Sequence, residues 1–554
     1  MTVRLYSKTK YGSSSRQLGF RLESLKKNSS RNLNTIDISS TNYWADGYFW
    51  ICLVDNNLAP PDATDGDVMV SLRIDSAGDI VAIGYYEMAG VNNIRRGDIF
   101  KFNSSGDDLG HLKLINPEES SGYDLKLYGL AIDTSDNLYV TGQGRQTGYG
   151  GGVLVKYTNT GRIVLWQRDI STRIYDDSDY SGKPVAGNGV GSYDSENCLT
   201  TDSSGNVYMA ATTGLYQTGA STYATAFYLI KFDSSGNIVW QRVIKGNNTT
   251  NQASYAQAVV VSGTDIYLTG SSYNSSTTRN YIILSKYNTS GSLQWQKSIS
   301  FSNSNLYPSN GLVVDTLGNV YLTAKNNFST TSSTISYLIK LDSSGNIIWQ
   351  KSLTGKTSVV VSFQSLTIDS SNNLYVCGQG GNNGLIIKYN SFGVLIWQRA
   401  LAAKITAAIV EFNSIRLDAA QTKMYVCGFT NDSTYNVSVN TISSGNPTPT
   451  PGATKNNQIL IKLAADGTFP EPYNADASPP VVGMDNQGLS GAGYIYTIAN
   501  FVEGIRSATV SSSTLTEEDA ATSGIGVELI LLTPESYSST SLTIGLRISQ
   551  YVNN

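Results

Sequence analysis

The loop Tyr175-Asp-Asp-Ser-Asp-Tyr180 is the densest local gathering of groups in this chain that could do chemistry. Its carboxylates Asp176, Asp177 and Asp179 accept hydrogen bonds or attract a cation. The rings of Tyr175 and Tyr180, with Tyr193 further along the same connection, offer faces on which a sugar can stack. The set suits carbohydrate contact; it also suits an ordinary solvated loop, because surface connections are polar anyway. Catalytic combinations are scarce. His111 is the only histidine, which excludes a multi-histidine metal centre and leaves one residue for any histidine-dependent triad. No phosphate loop, zinc-ligand spacing or nucleophile elbow is present. Pairs of carboxylates assembled in space leave no local trace, so carboxylate-based polysaccharide hydrolysis stays open. No cofactor and no metal site is expected.

The elements that must position such groups are short strands. Only 15% of the 554 residues are charged, whereas Gly (52) and Tyr (35) are abundant, a balance that favours many hairpins over helices. The net charge of −4 selects no partner for the whole molecule, and nucleic acid is not expected. The opening residues carry no apolar core of a secretory signal, and no stretch approaches 18 uninterrupted apolar residues, so neither export nor a membrane span is expected. Cys52, Cys198, Cys377 and Cys427 are too sparse for a disulfide framework. Cys377 and Cys427 occupy the same place in consecutive repeats, as small buried strand residues would.

A two-part phrase recurs along the chain. The first part reads Ile368-Asp-Ser-Ser-Asn-Asn-Leu-Tyr-Val-Cys-Gly378; the second reads Leu338-Ile-Lys-Leu-Asp-Ser-Ser-Gly-Asn-Ile-Ile-Trp-Gln-Lys351. Each is a strand, a tight turn and a second strand. First-part hairpins centre on Asp75, Asp133, Asp202, Ser262, Asp315, Asp369 and Asp418. Second-part hairpins carry Lys101, Lys156, Lys231, Lys286, Lys340, Lys388 and Lys462, and five of them return through Trp-Gln at Trp166, Trp240, Trp295, Trp349 and Trp397. Asp-Ser-Ser-Gly-Asn supplies a capping carboxylate and a glycine for the left-handed turn position. These turns lack the further acidic ligands that a calcium loop needs. Trp-Gln-Lys/Arg is expected on an outermost strand, the ring packed inward and the charge guarding the edge.

The paired phrase resembles the β-propeller repeat family called SBBP, over roughly three quarters of the chain. The resemblance implies a fold and no activity. The expected fold class is all-β, a β-propeller of four-stranded blades, seven in number, with non-repeat N- and C-terminal extensions. An eighth blade is the alternative, from Val481–Asp485, Gly493–Tyr496 and the strand-like Gly526-Val-Glu-Leu-Ile-Leu-Leu532. Phe49–Asp55 resembles a lone second-hairpin strand that would complete the last blade and close the ring. Ser541–Ile548 alternates cleanly and would pair with another subunit or seal the ring. The expected organisation is a basic arm at 1–45, the propeller at 46–473 and a β-rich tail at 474–554. The arm carries Arg4, Lys8, Lys10, Arg16, Arg21, Lys26, Lys27 and Arg31 against Glu23 alone, and serves either as a solvated tail or as a docking segment for an acidic partner.

Both hairpin turns of a blade fall on one rim and the connections on the other. The connection rim is long and variable, including Ser171–Glu196 and Asn431–Asn457, and insertions on one face of a repeat protein mark its interaction face. The composition is similar to that of phage tail proteins. The expected role is therefore a non-enzymatic virion structural protein of a tail, baseplate or fibre, binding other virion proteins and a host glycan or receptor. The alternatives are a bacterial cell-surface or exported propeller that binds glycan or protein, and a carboxylate-based polysaccharide hydrolase.

Overall fold

The computed structural model describes most of residues 67–467, together with short strands at 19–21, 42–44, 50–54, 496–500, 509–512, 516–519, 525–531 and 547–549. Connections such as 175–194 and 432–455, and the rest of both ends, lie outside the described residues.

Seven antiparallel sheets form seven blades, each built from one copy of the two-part phrase. Blade 1 begins with Val68–Ile74 as its innermost strand and blade 2 with Asp124–Ile132. The innermost strands of blades 3 to 7 are Leu199–Thr201, Ser254–Ser262, Asn305–Val314, Val361–Ile368 and Val410–Leu417. Blade 7 draws only three strands from its own repeat. Its outermost strand is Trp50–Val54 from the other end of the chain, paired antiparallel with Asn457–Ala464. The lone strand expected at Phe49–Asp55 thus closes the ring.

No eighth blade forms among the described residues. Ile525–Leu531 instead adds a fifth, outer strand to blade 2, and Tyr496–Asn500 adds one to blade 5. Thr509–Ser512, Thr516–Asp519 and Arg547–Ser549 do the same for blades 4, 3 and 1, so the tail passes backwards round the perimeter. Each added strand covers backbone groups that an edge would otherwise expose. Val481–Asp485 lies outside the described residues.

The repeated residues join one blade to the next. In blade 2 the Trp166 indole donates to the Ser234 carbonyl of the following blade at 3.0 Å, and the Lys156 ammonium reaches the same oxygen at 3.3 Å. Trp240 and Lys231 converge likewise on Thr289 of blade 4, and Trp349 and Lys340 on Ser391 of blade 6. The indole lies against the glycine of that next turn: a Cβ at Gly236 would come within 2.9 Å of the Trp166 ring. The φ of +79° at Gly236 also disfavours any side chain there. Arg168 adds a bond from Nε to the Gly236 carbonyl at 2.9 Å. The charge after Trp-Gln therefore clasps the neighbouring blade and does not merely guard an edge. Trp397 keeps the packing, but its indole N–H has no partner among the described residues.

In blades 2 to 6 the same Lys lies over the return-strand Tyr, 4.9 Å from its centroid for Lys156 and Tyr139. The Tyr139 hydroxyl donates to the turn carboxylate Asp133 at 3.0 Å. Cys377 and Cys427 are buried thiols in strands, as expected from their repeat positions, and Cys198 is buried too; the Cys52 side chain lies outside the described residues.

Burial pushes Asp133 up, but bonds from the Asn137 side chain and backbone, the Tyr139 hydroxyl and the Ser135 backbone outweigh it, leaving the carboxyl below its ordinary value. Asp75 and Asp202 are lowered on the same balance. Groups with depressed folded values stabilise the fold above their unfolded value and lose that contribution as pH falls through the folded one. Denaturant midpoints should therefore fall steadily below about pH 4. Asp133→Asn should lower the neutral-pH midpoint and shallow that acid limb, and an unchanged limb would contradict the assignment.

Candidate functional site

The residues singled out in the sequence divide by place. Tyr175, Asp176, Asp177, Asp179, Tyr180 and Tyr193 lie outside the described residues. So do the side chains of the basic arm; Arg21 falls in a short strand, Gly19–Arg21, whose backbone alone is described. His111 sits in the fourth strand of blade 1, inside the added Arg547–Ser549, opposite Phe100. That strand is near the perimeter, away from the groups described next.

Chemistry-bearing side chains converge at the axis. Six of the seven innermost strands break register at one level, and the extra residue is Val70, Tyr128, Gln257, Asn310 within a longer break, Gln364 or Asn413. A bulge re-aims a side chain without ending the sheet. The glycine of the first hairpin makes room for it. A Cβ at Gly378 would stand 2.0 Å from the Ser362 carbonyl, and one at Gly428 would stand 1.9 Å from that of Glu411.

In blade 3 the innermost strand is short, and Asn197 takes the bulge level. The following carbonyl, on Cys198, accepts from the Ala210 N–H at 2.8 Å. The turn Ser195–Cys198 does not stay beside blades 2 and 4. The Asn197 amide donates to the Asn310 carbonyl of blade 5 at 2.6 Å. Its oxygen accepts from Arg73 of blade 1 at 3.1 Å and from Arg416 of blade 7 at 2.8 Å. Glu196, fully buried, accepts from Ser365 of blade 6 and from Arg416 at 3.5 Å. Ser195 donates to Gln257 of blade 4. In a ring of seven, only a segment on the axis can touch all of these blades. The end of the variable Ser171–Glu196 connection thus enters the axial channel as a polar plug.

The electrostatics of the plug are uneven. Glu196 Oε1 takes every donor that reaches this carboxylate, and Oε2 has none among the described residues. Arg73 contacts Ser71, the Leu72 carbonyl and Asn197, with no carboxylate at salt-bridge distance among the described residues. Burial, then the facing Arg416 guanidinium, drives Arg73 down to about 9, against a weaker upward pull from Glu196. Burial also raises the Cys377 and Cys427 thiols, which lie near Glu196, well above their ordinary range. They are poor nucleophiles in that state.

At the connection-rim end of the channel, Glu411 accepts from the Gln364 amide at 2.7 Å. Burial holds its carboxyl above the ordinary value, although Gln364 and Lys325 pull it down. No group of three or more His, Cys, Asp or Glu that could hold a metal ion occurs among the described residues.

Sequence reading missed Glu196, Asn197, Arg73 and Arg416. One signal was available. Two residues before each first-hairpin turn the blades carry Arg73, Ala131, Thr200, Val260, Val313, Thr367 and Arg416. Two cations interrupt a small or apolar register, and ring closure makes their blades neighbours.

No family model matches the chain, and no curated protein matches it. The resemblance to SBBP-type repeats therefore rests on the repeated phrase. Among solved structures the chain is similar to the polysaccharide lyase Uly1, with a TM-score of 0.41 at 9% identity, over 78% of this chain and 95% of that one. It is also similar to prolyl oligopeptidase B from Galerina marginata, with a TM-score of 0.30 at 9% identity, over 70% of this chain and 54% of that one. A hydrolase from Bacteroides ovatus gives a TM-score of 0.23 at 10% identity, over 53% and 93%. At these values the likenesses carry no argument about activity.

The plug makes a direct prediction. Glu196→Leu strands the part-buried Arg416 guanidinium and should cost about 3–5 kcal/mol, the usual penalty for breaking a buried ion pair from one side. Adding Arg416→Leu should restore part of that loss, giving non-additive denaturant midpoints in a double-mutant cycle. Additive losses would mean that the two groups do not act together.

Proposed function

We propose that this protein is a non-enzymatic structural and binding scaffold, a component of a phage tail, baseplate or fibre. The observation that carries the scaffold reading is the axial plug. Residues Ser195–Asn197 bond to blades 1, 4, 5, 6 and 7, which couples the ring across its centre. Trp50–Val54 joins the two ends of the ring. A ring held both ways presents its connection rim on a rigid base, and rigid scaffolds with variable loops are binding architectures. The virion assignment draws support from the sparsely charged, Tyr- and Gly-rich composition and from the basic arm.

The arm is the test. Deleting residues 1–31 should leave the β-sheet circular dichroism and melting of the ring unchanged while abolishing incorporation into the parent particle. Incorporation at the wild-type level would contradict the docking role. Absence of the full-length protein from purified particles, by immunolabelling, would contradict the virion reading itself.

One observation favours a second reading, the carboxylate-based hydrolase. Glu411 is a carboxyl kept above its ordinary value beside the axis, the condition of a general acid. Under that reading, turnover of bacterial envelope polysaccharide should drop about 100-fold or more in Glu411→Gln, from the usual worth of general-acid catalysis. Absence of turnover by the wild-type protein, with polysaccharide binding intact, would remove it.

A further inference from the structure

The geometry points to an oxyanion-binding site at the turn-rim side of the axial plug, formed by the guanidiniums of Arg73 and Arg416. The two side chains come from blades made adjacent by ring closure and converge on one oxygen, Asn197 Oδ1, at 3.1 and 2.8 Å. Both also anchor back to their own strands: Arg73 to the Leu72 carbonyl at 2.8 Å and Arg416 to the Ile415 carbonyl at 2.6 Å. They are thus held facing each other before any ligand arrives. Preorganised, convergent donors are what an anion site requires.

The charge count asks for an anion. Among the described residues two guanidiniums face one carboxylate, and the ion pair of Glu196 is with Arg416. Among the described residues Arg73 is left with neutral acceptors, namely Ser71, Leu72 and Asn197. A partly buried cation with a like charge opposite is expensive unless a negative group joins it. Burial and the facing Arg416 guanidinium lower Arg73 to about 9, still protonated at neutral pH. Three of the five N–H donors of Arg73 are committed to Ser71, Leu72 and Asn197, so among the described residues Nε and one Nη2 hydrogen remain for a ligand. The guanidinium fork matches carboxylate and phosphate oxygens in spacing and plane.

The ligand class is therefore a small oxyanion, either a carboxylate, as on a uronic acid or an acidic peptide, or a phosphate group. Neutral sugars make no use of the charge. The site does not depend on the virion assignment, since it rests on the plug alone.

The test is calorimetric titration of the full chain with sodium phosphate, sodium acetate and sodium glucuronate, against sodium chloride at matched ionic strength. Saturable binding of phosphate or of a carboxylate is expected, and Arg73→Gln should weaken it at least about tenfold, the loss of one charge-assisted pair. Saturation by phosphate alone would assign a phosphorylated ligand, and saturation by acetate or glucuronate alone would assign a carboxylate. Thermal shift provides the control for folding: Arg73→Gln should melt no lower than wild type, because it removes an uncompensated charge, while losing the anion-induced rise. Should Arg73→Gln fail to fold, the conservative Arg73→Lys must still bind more weakly than wild type. An equal anion response in wild type and variant, or no saturable binding by wild type, would overturn the proposal.

Discussion

The rest of this fold depends on one contact: at six of the seven junctions, among the described residues, a carbonyl of the second-hairpin turn accepts hydrogen bonds from the blade before it. Ser234 takes both Trp166 and Lys156; Thr289 takes Trp240 and Lys231. A buried neutral bond is worth about 1 kcal/mol, and the lysine adds a cation–π contribution of about 0.5–1 kcal/mol over its tyrosine. Repetition turns these modest terms into a ring. At the junction where the chain ends meet, Lys462 of blade 7 reaches the Ser104 carbonyl of blade 1 at 2.7 Å. That lysine is held down to about 8, first by burial, then by the neighbouring Lys423, with Asp418 pulling the other way. Closure therefore uses the same device as the interior junctions under greater electrostatic cost.

The axis supplies the second constraint. A propeller leaves a channel wherever its innermost strands cannot meet, and here the chain fills it with Ser195–Cys198. The bulges that aim amides toward that centre depend on glycine in the neighbouring strand. The Tyr-x-x-Gly ending of the first hairpin thus belongs to the axis as much as to the turn. Perimeter and centre are secured separately: the tail adds outer strands to five blades, and the plug bonds to blades that are far apart in sequence.

Much of this was legible in the residues. Asp-Ser-Ser-Gly-Asn specifies its turn through local bonds, as when Asp233 Oδ1 accepts from the Ser235 and Asn237 backbones at 2.9 and 2.8 Å. Local chemistry repeated in register announces a blade. The lone strand at Phe49–Asp55 was recognisable because it copies an outer strand while lacking a turn partner. The plug was not legible, because Glu196 and Asn197 act on residues as distant as Arg416, and nothing near them in sequence marks that contact. The tail misled for the opposite reason. Gly526–Leu532 has the pattern of a blade strand, and pattern alone does not say whether a strand starts a new blade or adds to an existing one. The conspicuous Tyr and Asp residues of the 175–180 loop have no place yet in this geometry, since they fall outside the described residues.

Open repeat arrays unfold piecewise, each unit leaning only on its neighbours. The central claim here is that the clasps, the closing strand and the plug make the seven blades one cooperative unit. Native-state hydrogen exchange of the full chain measures this directly, through amides such as Leu460 in blade 7 and Leu284 in blade 4. The account predicts that the slowest amides of all seven blades exchange with one common opening free energy and one common denaturant dependence. Blades 1 and 7 opening first, at lower free energy than blades 3 to 5, would contradict it.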